Sequence, residues 1–243
     1  MQNTSSPLRN RVSENESENN KNGVFLFLSW NVEGLKNKMQ NESFINYVSN
    51  FDCVGLVETW CNEGESFDLP GFQMFSKTNV KQNIRGRVTG GIAVYIKIDS
   101  KINAVQLQGA SKGILWVRLQ VKGVSKPFNI IFGEIYNQPE TSDYRNDFFF
   151  EELRTDLMEF STTFPDHDVI LCGDWNVRVG EEQDMEGDNY DFEQSSLQFA
   201  RDWVNWEPRR SRDKICNKNG KKLIEMCKDL NFVLLNGRGE GDS

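Results

Sequence analysis

No apolar run in these 243 residues approaches the roughly 20 that a membrane-spanning helix needs. The first residues lack a charged segment followed by an apolar one, so no secretory targeting is expected. The five cysteines, Cys53, Cys61, Cys172, Cys216 and Cys227, form no CxxC pair. They read as reduced core or surface thiols of an intracellular protein. A basic excess is missing as well. The net charge is −8, which does not advertise the basic surface usual in nucleic-acid binders. There is no internal repeat, and histidine occurs once, at His167.

What is present suits a sizeable core: 17 phenylalanines and 6 tryptophans in a chain long enough for one α/β domain or two small ones. Charge is unevenly spread. Lys81, Arg85 and Arg87 cluster in one loop, and Arg209, Arg210, Arg212 and Lys214 in another, while acidic residues gather over 181–191. Each cluster reads as a solvated loop or, for the basic ones, as a contact to a phosphate backbone.

Residues 1–23 are rich in Asn, Ser, Glu and Lys, carry almost no apolar side chains, and are expected to be disordered. Residues 24–243 read as one domain. Apolar runs predict strands over 24–30, 52–58 and 72–75. Asn41 is placed to cap a helix with Phe44, Ile45, Tyr47 and Val48 on one face. After a basic loop, alternation over 92–98, 104–107, 114–121 and 128–136 reads as antiparallel meander strands. Ser142 is a candidate cap for a helix over 143–160 that buries Phe148, Leu153, Leu157 and Phe160. A buried strand follows over 167–172, then helices over 194–206 and 220–230 and a strand over 232–235. Strands interspersed with helices point to mixed sheets covered by helices.

Four of the strands end in polar residues that a core does not request. They end in Ser29-Trp30-Asn31-Val32-Glu33, in Val57-Glu58-Thr59-Trp60, in Glu134-Ile135-Tyr136-Asn137-Gln138-Pro139 and in Gly173-Asp174-Trp175-Asn176. Singly, the Asn and Asp residues are ordinary turn formers, the glutamates loop carboxylates and Tyr136 a core aromatic. Together, at the ends of successive strands, Asn31, Glu33, Glu58, Tyr136, Asp174 and Asn176 form a set suited to phosphodiester hydrolysis. A hard divalent ion takes one or two carboxylates plus waters and phosphate oxygens; Glu58 is the first candidate, with Glu33 or Asn31 helping. Such an ion polarises the phosphoryl group and stabilises the leaving oxygen. Asp174 is placed to orient or deprotonate water. Asn31 and Asn176 offer amide donors to phosphate oxygens, and Tyr136 a hydroxyl donor.

These motifs, with Thr89-Gly90-Gly91-Ile92-Ala93-Val94-Tyr95 between them, resemble the endonuclease/exonuclease/phosphatase superfamily. Within it they look most like the apurinic/apyrimidinic-endonuclease-like domain of non-long-terminal-repeat retrotransposons. Leu234-Leu235-Asn236-Gly237-Arg238 with Gly241-Asp242 is similar to the same group. The resemblance implies an α/β (α+β) fold, a four-layer sandwich of two mixed β-sheets flanked by helices. It implies Mg²⁺-dependent cleavage of a DNA strand, with Mn²⁺ as an alternative ion, that primes reverse transcription of a retroelement RNA, and hence a nuclear location. By position it implies that Asn31 and Asn176 contact phosphate and that Glu58, with Glu33, holds the metal. Tyr136 then supports the transition state and Asp174 positions the nucleophile.

Two departures qualify it. Relatives that repair abasic DNA often carry Asn three residues after the tyrosine, where this chain has Pro139; that counts against abasic-site activity. The family's terminal Ser-Asp-His motif has no counterpart, and His167 precedes the strand that carries Asp174. The expectation is a domain whose last strands are missing, with an uncovered sheet edge, and residues 1–243 alone inactive or nearly so. The alternatives are another phosphoesterase of the superfamily (a phosphoinositide phosphatase, sphingomyelinase or deadenylase) or a non-catalytic nucleic-acid-binding fragment. Oligomeric state is left open.

Overall fold

A computed structural model describes residues 25–78, 89–122, 127–185 and 208–238. The first sheet has the order β1 (Phe27–Asn31), β2 (Cys53–Val57), β4 (Ile92–Lys97) and β3 (Phe72–Lys77). The second has the order β5 (Ile102–Leu107), β6 (Ile114–Val121), β7 (Phe128–Tyr136) and β8 (Asp168–Asp174). Both are mixed: β1 runs parallel to β2 and β7 parallel to β8, and every other pair is antiparallel.

Strand alternation sorts the apolar side chains into three layers. Between the sheets, Cys53, Val57, Ile92, Val94 and Ile96 meet Leu115, Val117, Leu119, Ile130, Phe132 and Tyr136. On the outer face of the first sheet, Val54, Leu56, Ala93 and Tyr95 pack under α1 (Leu35–Lys38) and α2 (Glu42–Val48) through Leu35, Phe44 and Val48. On the outer face of the second, Ile114, Trp116, Ile131 and Ile135 pack under α3 (Phe149–Thr163) and α4 (Lys218–Leu230). The result is the expected helix–sheet–sheet–helix sandwich. Strands covered on both faces must be apolar on both, which is why β2, β4, β6 and β7 read as near-continuous hydrophobic runs.

Several local expectations hold. Asn41 caps α2, its side chain accepting from the backbone N–H groups of Ser43 and Phe44. All five cysteines are free thiols. Others need correction. The strand at 92–98 is not part of the meander: it crosses to the first sheet and pairs with β2 and β3. Ser142 does not start α3. Its hydroxyl accepts from Tyr144 N–H, Asn146 Oδ1 accepts from Phe148 N–H, and Asn146 Nδ2 donates to Glu152. These local bonds compete with helix formation, so the helix begins at Phe149, with Phe149 and Phe150 buried and Phe148 exposed. Residues 232–235 follow a left-handed Asn231 and pair with no described strand, although Phe232 and Leu234 still pack on the core. β8 is half-buried along its whole length because it is the described edge of its sheet. The expected helix at 194–206, the loop cations Lys81, Arg85 and Arg87, and the tail at 239–243 lie outside the described residues.

Candidate functional site

The C-terminal ends of β1, β2, β7 and β8 come together at one end of the sandwich. The registers set out the inter-sheet face in rungs: Asn31 beside Val57 in the first sheet and Tyr136 beside Asp174 in the second. Two hydrogen bonds close the gap. Asn31 Nδ2 donates to Asp174 Oδ2 at 3.0 Å. The Tyr136 hydroxyl donates to Glu58 Oε1 at 2.9 Å. Each bond joins one sheet to the other.

Alternation alone accounts for Asn31, Tyr136 and Asp174, which follow the inward-facing Ser29, Glu134 and Cys172 at a spacing of two. It does not account for Glu58. Val57 faces the second sheet, so a continued strand would turn Glu58 the other way. The backbone at Glu58 is instead left-handed, with φ 54°, and this ends the strand and brings the carboxylate to Tyr136. Glu33, Trp60 and Asn176 share that conformation, with φ 48°, 54° and 48°. Among the described residues, four of the five non-glycine residues with positive φ therefore sit on strand exits at this end. Such backbone costs on the order of 1–3 kcal/mol each and concentrates where a site needs it. Gly173 meets a stricter demand: its φ is 120°, and a Cβ would stand 2.0 Å from the Ile135 carbonyl oxygen.

The turn after β8 is braced from the turn after β7. Asp174 Oδ1 accepts from Asn176 N–H at 3.0 Å, and Asn176 Nδ2 donates to the Asn137 carbonyl at 2.8 Å. Asn137, buried, donates through Nδ2 to the Trp175 carbonyl at 3.0 Å. Asn31 and Asn176 each use one amide hydrogen in these bonds and retain a second. Glu33 is exposed, and its tie to the cluster runs through its backbone N–H, which donates to Asn31 Oδ1 at 3.2 Å.

Burial, then the hydrogen bond to Glu58, then the charges of Glu58 and Asp174 push the Tyr136 hydroxyl well up from its ordinary value. Tyr136 is therefore a proton donor at this site, not a phenolate. Among the described residues no three His, Cys, Asp or Glu side chains group as metal ligands, so the donors present do not make an all-protein cage of the structural-zinc kind. They do fit a hard ion that needs one or two carboxylates and fills its remaining positions with water and phosphate oxygens. Of the two carboxylates expected for such an ion, Glu58 is the one whose side chain joins the cluster, through Tyr136.

The structure thus brings Asn31, Glu58, Tyr136, Asp174 and Asn176 together and leaves the Glu33 side chain at the rim. Sequence reasoning quoted Asn137 in its motif without giving it a role, and passed over the Glu134 side chain. The signal for Glu134 was a carboxylate two residues before Tyr136, on the same face of an otherwise apolar strand. His167 sits at the far end of β8, its ring 5.3 Å from that of Phe164. Of the second basic cluster, Arg209 is buried and donates to the Asn236 and Glu182 carbonyls, and Lys214 pairs with Glu181. Both serve the local structure. Two open depressions of about 460 and 310 Å³ border α4, and no strand-end residue lines either.

Comparison with solved structures finds a human nocturnin catalytic domain (13% identity, 63% of this chain and 64% of that one, TM-score 0.45). It also finds a Xenopus laevis APE2 catalytic domain (15%, 71% and 63%, TM-score 0.48) and an Archaeoglobus fulgidus AP endonuclease (13%, 84% and 71%, TM-score 0.42). The chain spans less than two thirds of the nocturnin and APE2 domains. No curated protein matches it. The family model described as Endonuclease/Exonuclease/phosphatase matches residues 28–217, which take in every strand but the first residue of β1 and all the strand-end residues above, and the chain belongs to that family.

Proposed function

We propose that this chain is the catalytic core of a metal-dependent phosphodiesterase that nicks DNA, as the endonuclease domain of a retroelement. The observation that carries this reading is the pair of inter-sheet bonds, Asn31–Asp174 and Tyr136–Glu58, at one sheet end. They gather the Glu58 and Asp174 carboxylates, the Asn31 amide and the Tyr136 hydroxyl around one space, which Asn176 joins through Asp174. A Mg²⁺ ion bound there would polarise the phosphoryl group and stabilise the leaving oxygen. Glu58 would hold it, assisted by Glu33. Asp174 would orient the attacking water and accept its proton. The free amide hydrogens of Asn31 and Asn176 would bind the phosphate oxygens, and Tyr136 would donate to the charge that develops there. Priming of reverse transcription needs a 3′-hydroxyl, so the bond broken is P–O3′, with the phosphate left on the 5′ side of the other fragment.

No histidine faces this space: the sole one, His167, is at the opposite end of β8. The test supplies imidazole from solution. Supercoiled plasmid is incubated with the chain in Mg²⁺ or Mn²⁺, with and without imidazole, and nicking is followed by gel. Metal-dependent nicking that imidazole raises and Glu58→Gln abolishes is the expected result. Nicking unaffected by Glu58→Gln, or none with metal and imidazole together, would overturn the reading. Phosphoinositide and poly(A) substrates in the same assay separate DNA cleavage from the other activities of the superfamily.

A further inference from the structure

One rung below the strand ends, the inner faces of the sheets carry a second polar layer. Ser29 lies two residues before Asn31 and beside Gly55; Glu134 lies two before Tyr136 and beside Cys172. Alternation therefore aims Ser29 and Glu134 into the same inter-sheet space as the site. Ser29 Oγ donates to Glu134 Oε1 at 2.7 Å, linking β1 to β7. Glu134 is fully buried, and its Oε2 has no hydrogen-bond partner. A Cβ at position 55 would stand 2.0 Å from that oxygen, so the carboxyl fills room that only a glycine in β2 leaves. The next rung down is apolar, with Phe27 beside Cys53 and Phe132 beside Ile170.

An isolated buried carboxyl is expensive, and an apolar residue would fill the gap at lower cost. A sequence breaks such a local rule chiefly where function asks for it. We propose that Glu134 is a positioning residue for the strand-end site: with Ser29 and Gly55 it forms a clasp across β1, β2 and β7 that sets where Asn31, Glu58, Tyr136 and Asp174 meet. That these four act on a phosphodiester rests on the function proposed above; that the clasp positions them does not. Burial pushes the carboxyl up to about 8, and the Ser29 hydrogen bond offsets this only in part. The ionisable groups facing it are the thiols Cys53 from β2 and Cys172 from β8, both raised by burial and by Glu134, with Asp52 beyond Cys53. The neutral acid is therefore the form held near neutral pH, and glutamine is its conservative replacement.

The test reads Tyr136 directly. Tyrosine labelled with ¹³C at Cζ gives one NMR resonance per ring; that of Tyr136 is assigned by its loss in Tyr136→Phe and reports the hydrogen bond to Glu58. Folding of each variant is checked by circular dichroism. Glu134→Ala, Ser29→Ala and Gly55→Ala are expected to move the Tyr136 resonance toward its position in Glu58→Gln, and Glu134→Gln to leave it in place. The wild-type resonance should also titrate with a midpoint near 8, a response that Glu134→Gln lacks. Plasmid nicking is scored separately, and its absence would count against the hydrolytic reading alone. Folded Ser29→Ala and Gly55→Ala proteins with Tyr136 at the wild-type position would overturn the clasp. So would a displacement in Glu134→Gln as large as in Glu58→Gln.

Discussion

Asn31, the last residue of β1, donates to Asp174, the last residue of β8, across 3.0 Å, and so joins strands that, among the described residues, are edges of two sheets sharing no ladder. The bond fixes the carboxylate from one side while Asn176 N–H fixes it from the other. Asp174 thus has both oxygens engaged and a single orientation.

Asn31→Ala should separate stability from chemistry. Two hydrogen bonds are lost, the one donated to Asp174 and the one accepted from Glu33 N–H, which lowers unfolding free energy by about 1–3 kcal/mol. Nicking in the imidazole assay should fall by on the order of 10²-fold or more, because an aimed donor and the set of Asp174 go together. Urea denaturation beside the nicking rate checks this; a rate that falls no further than stability predicts would show that the bond serves the fold alone.

Tyr136→Phe removes only the donor to Glu58. The fold should hold to within about 1.5 kcal/mol, while nicking falls by on the order of 10²-fold. Because the Tyr136 hydroxyl is pushed up, its ionisation should add no limb to the pH–rate profile below about pH 10, the ordinary tyrosine value. A limb that disappears in Tyr136→Phe would contradict this.

Glu134 should make the protein less stable as pH rises. Below its ordinary value of 4.5 the group is protonated in both folded and unfolded chains and adds no pH dependence to stability. Between there and about 8 the unfolded chain releases a proton that the folded chain retains, so stability falls. The contribution is about 1.4 kcal/mol per pH unit. Above about 8 both states are ionised and this slope vanishes. Glu134→Gln should show a shallower fall than the wild type through that window. Thermal melts at a series of pH values measure the difference; equal slopes would contradict it.

Gly173→Ala should fail to fold or be severely destabilised. The new Cβ meets the Ile135 carbonyl at 2.0 Å on a backbone with φ 120°, which costs well above about 3 kcal/mol. Soluble expression and a urea titration report it, and a melt close to that of the wild type would show that β8 can shift away from β7.

Much of this architecture is legible in the residues. Strands covered on both faces must be apolar throughout, so the runs at β2, β6 and β7 announce themselves. Asn41 announces a helix start because a side-chain oxygen is needed there. The four polar strand exits were recognisable as a set because alternation carries Asn31, Tyr136 and Asp174 to one face. Long-range choices were not legible. Nothing local tells Ile92–Lys97 to cross to the first sheet instead of continuing the meander, since both pairings bury the same apolar face. The start of α3 turned on side-chain bonds of Ser142 and Asn146 that rival a helix cap. Glu58 reached its place through a left-handed backbone that periodicity does not predict. Glu134 looked like one more strand residue until its neighbours across the gap, Ser29 and Gly55, were known.

The central claim, that the ends of β1, β2, β7 and β8 form one metal-dependent site, is tested most directly by counting Mn²⁺ bound in the presence of a DNA duplex, by electron paramagnetic resonance. The account predicts a Mn²⁺ site lost in Glu58→Gln, weakened in Glu33→Gln, and unchanged in Asp168→Asn at the opposite end of β8. Mn²⁺ bound as tightly by Glu58→Gln as by the wild type would contradict it.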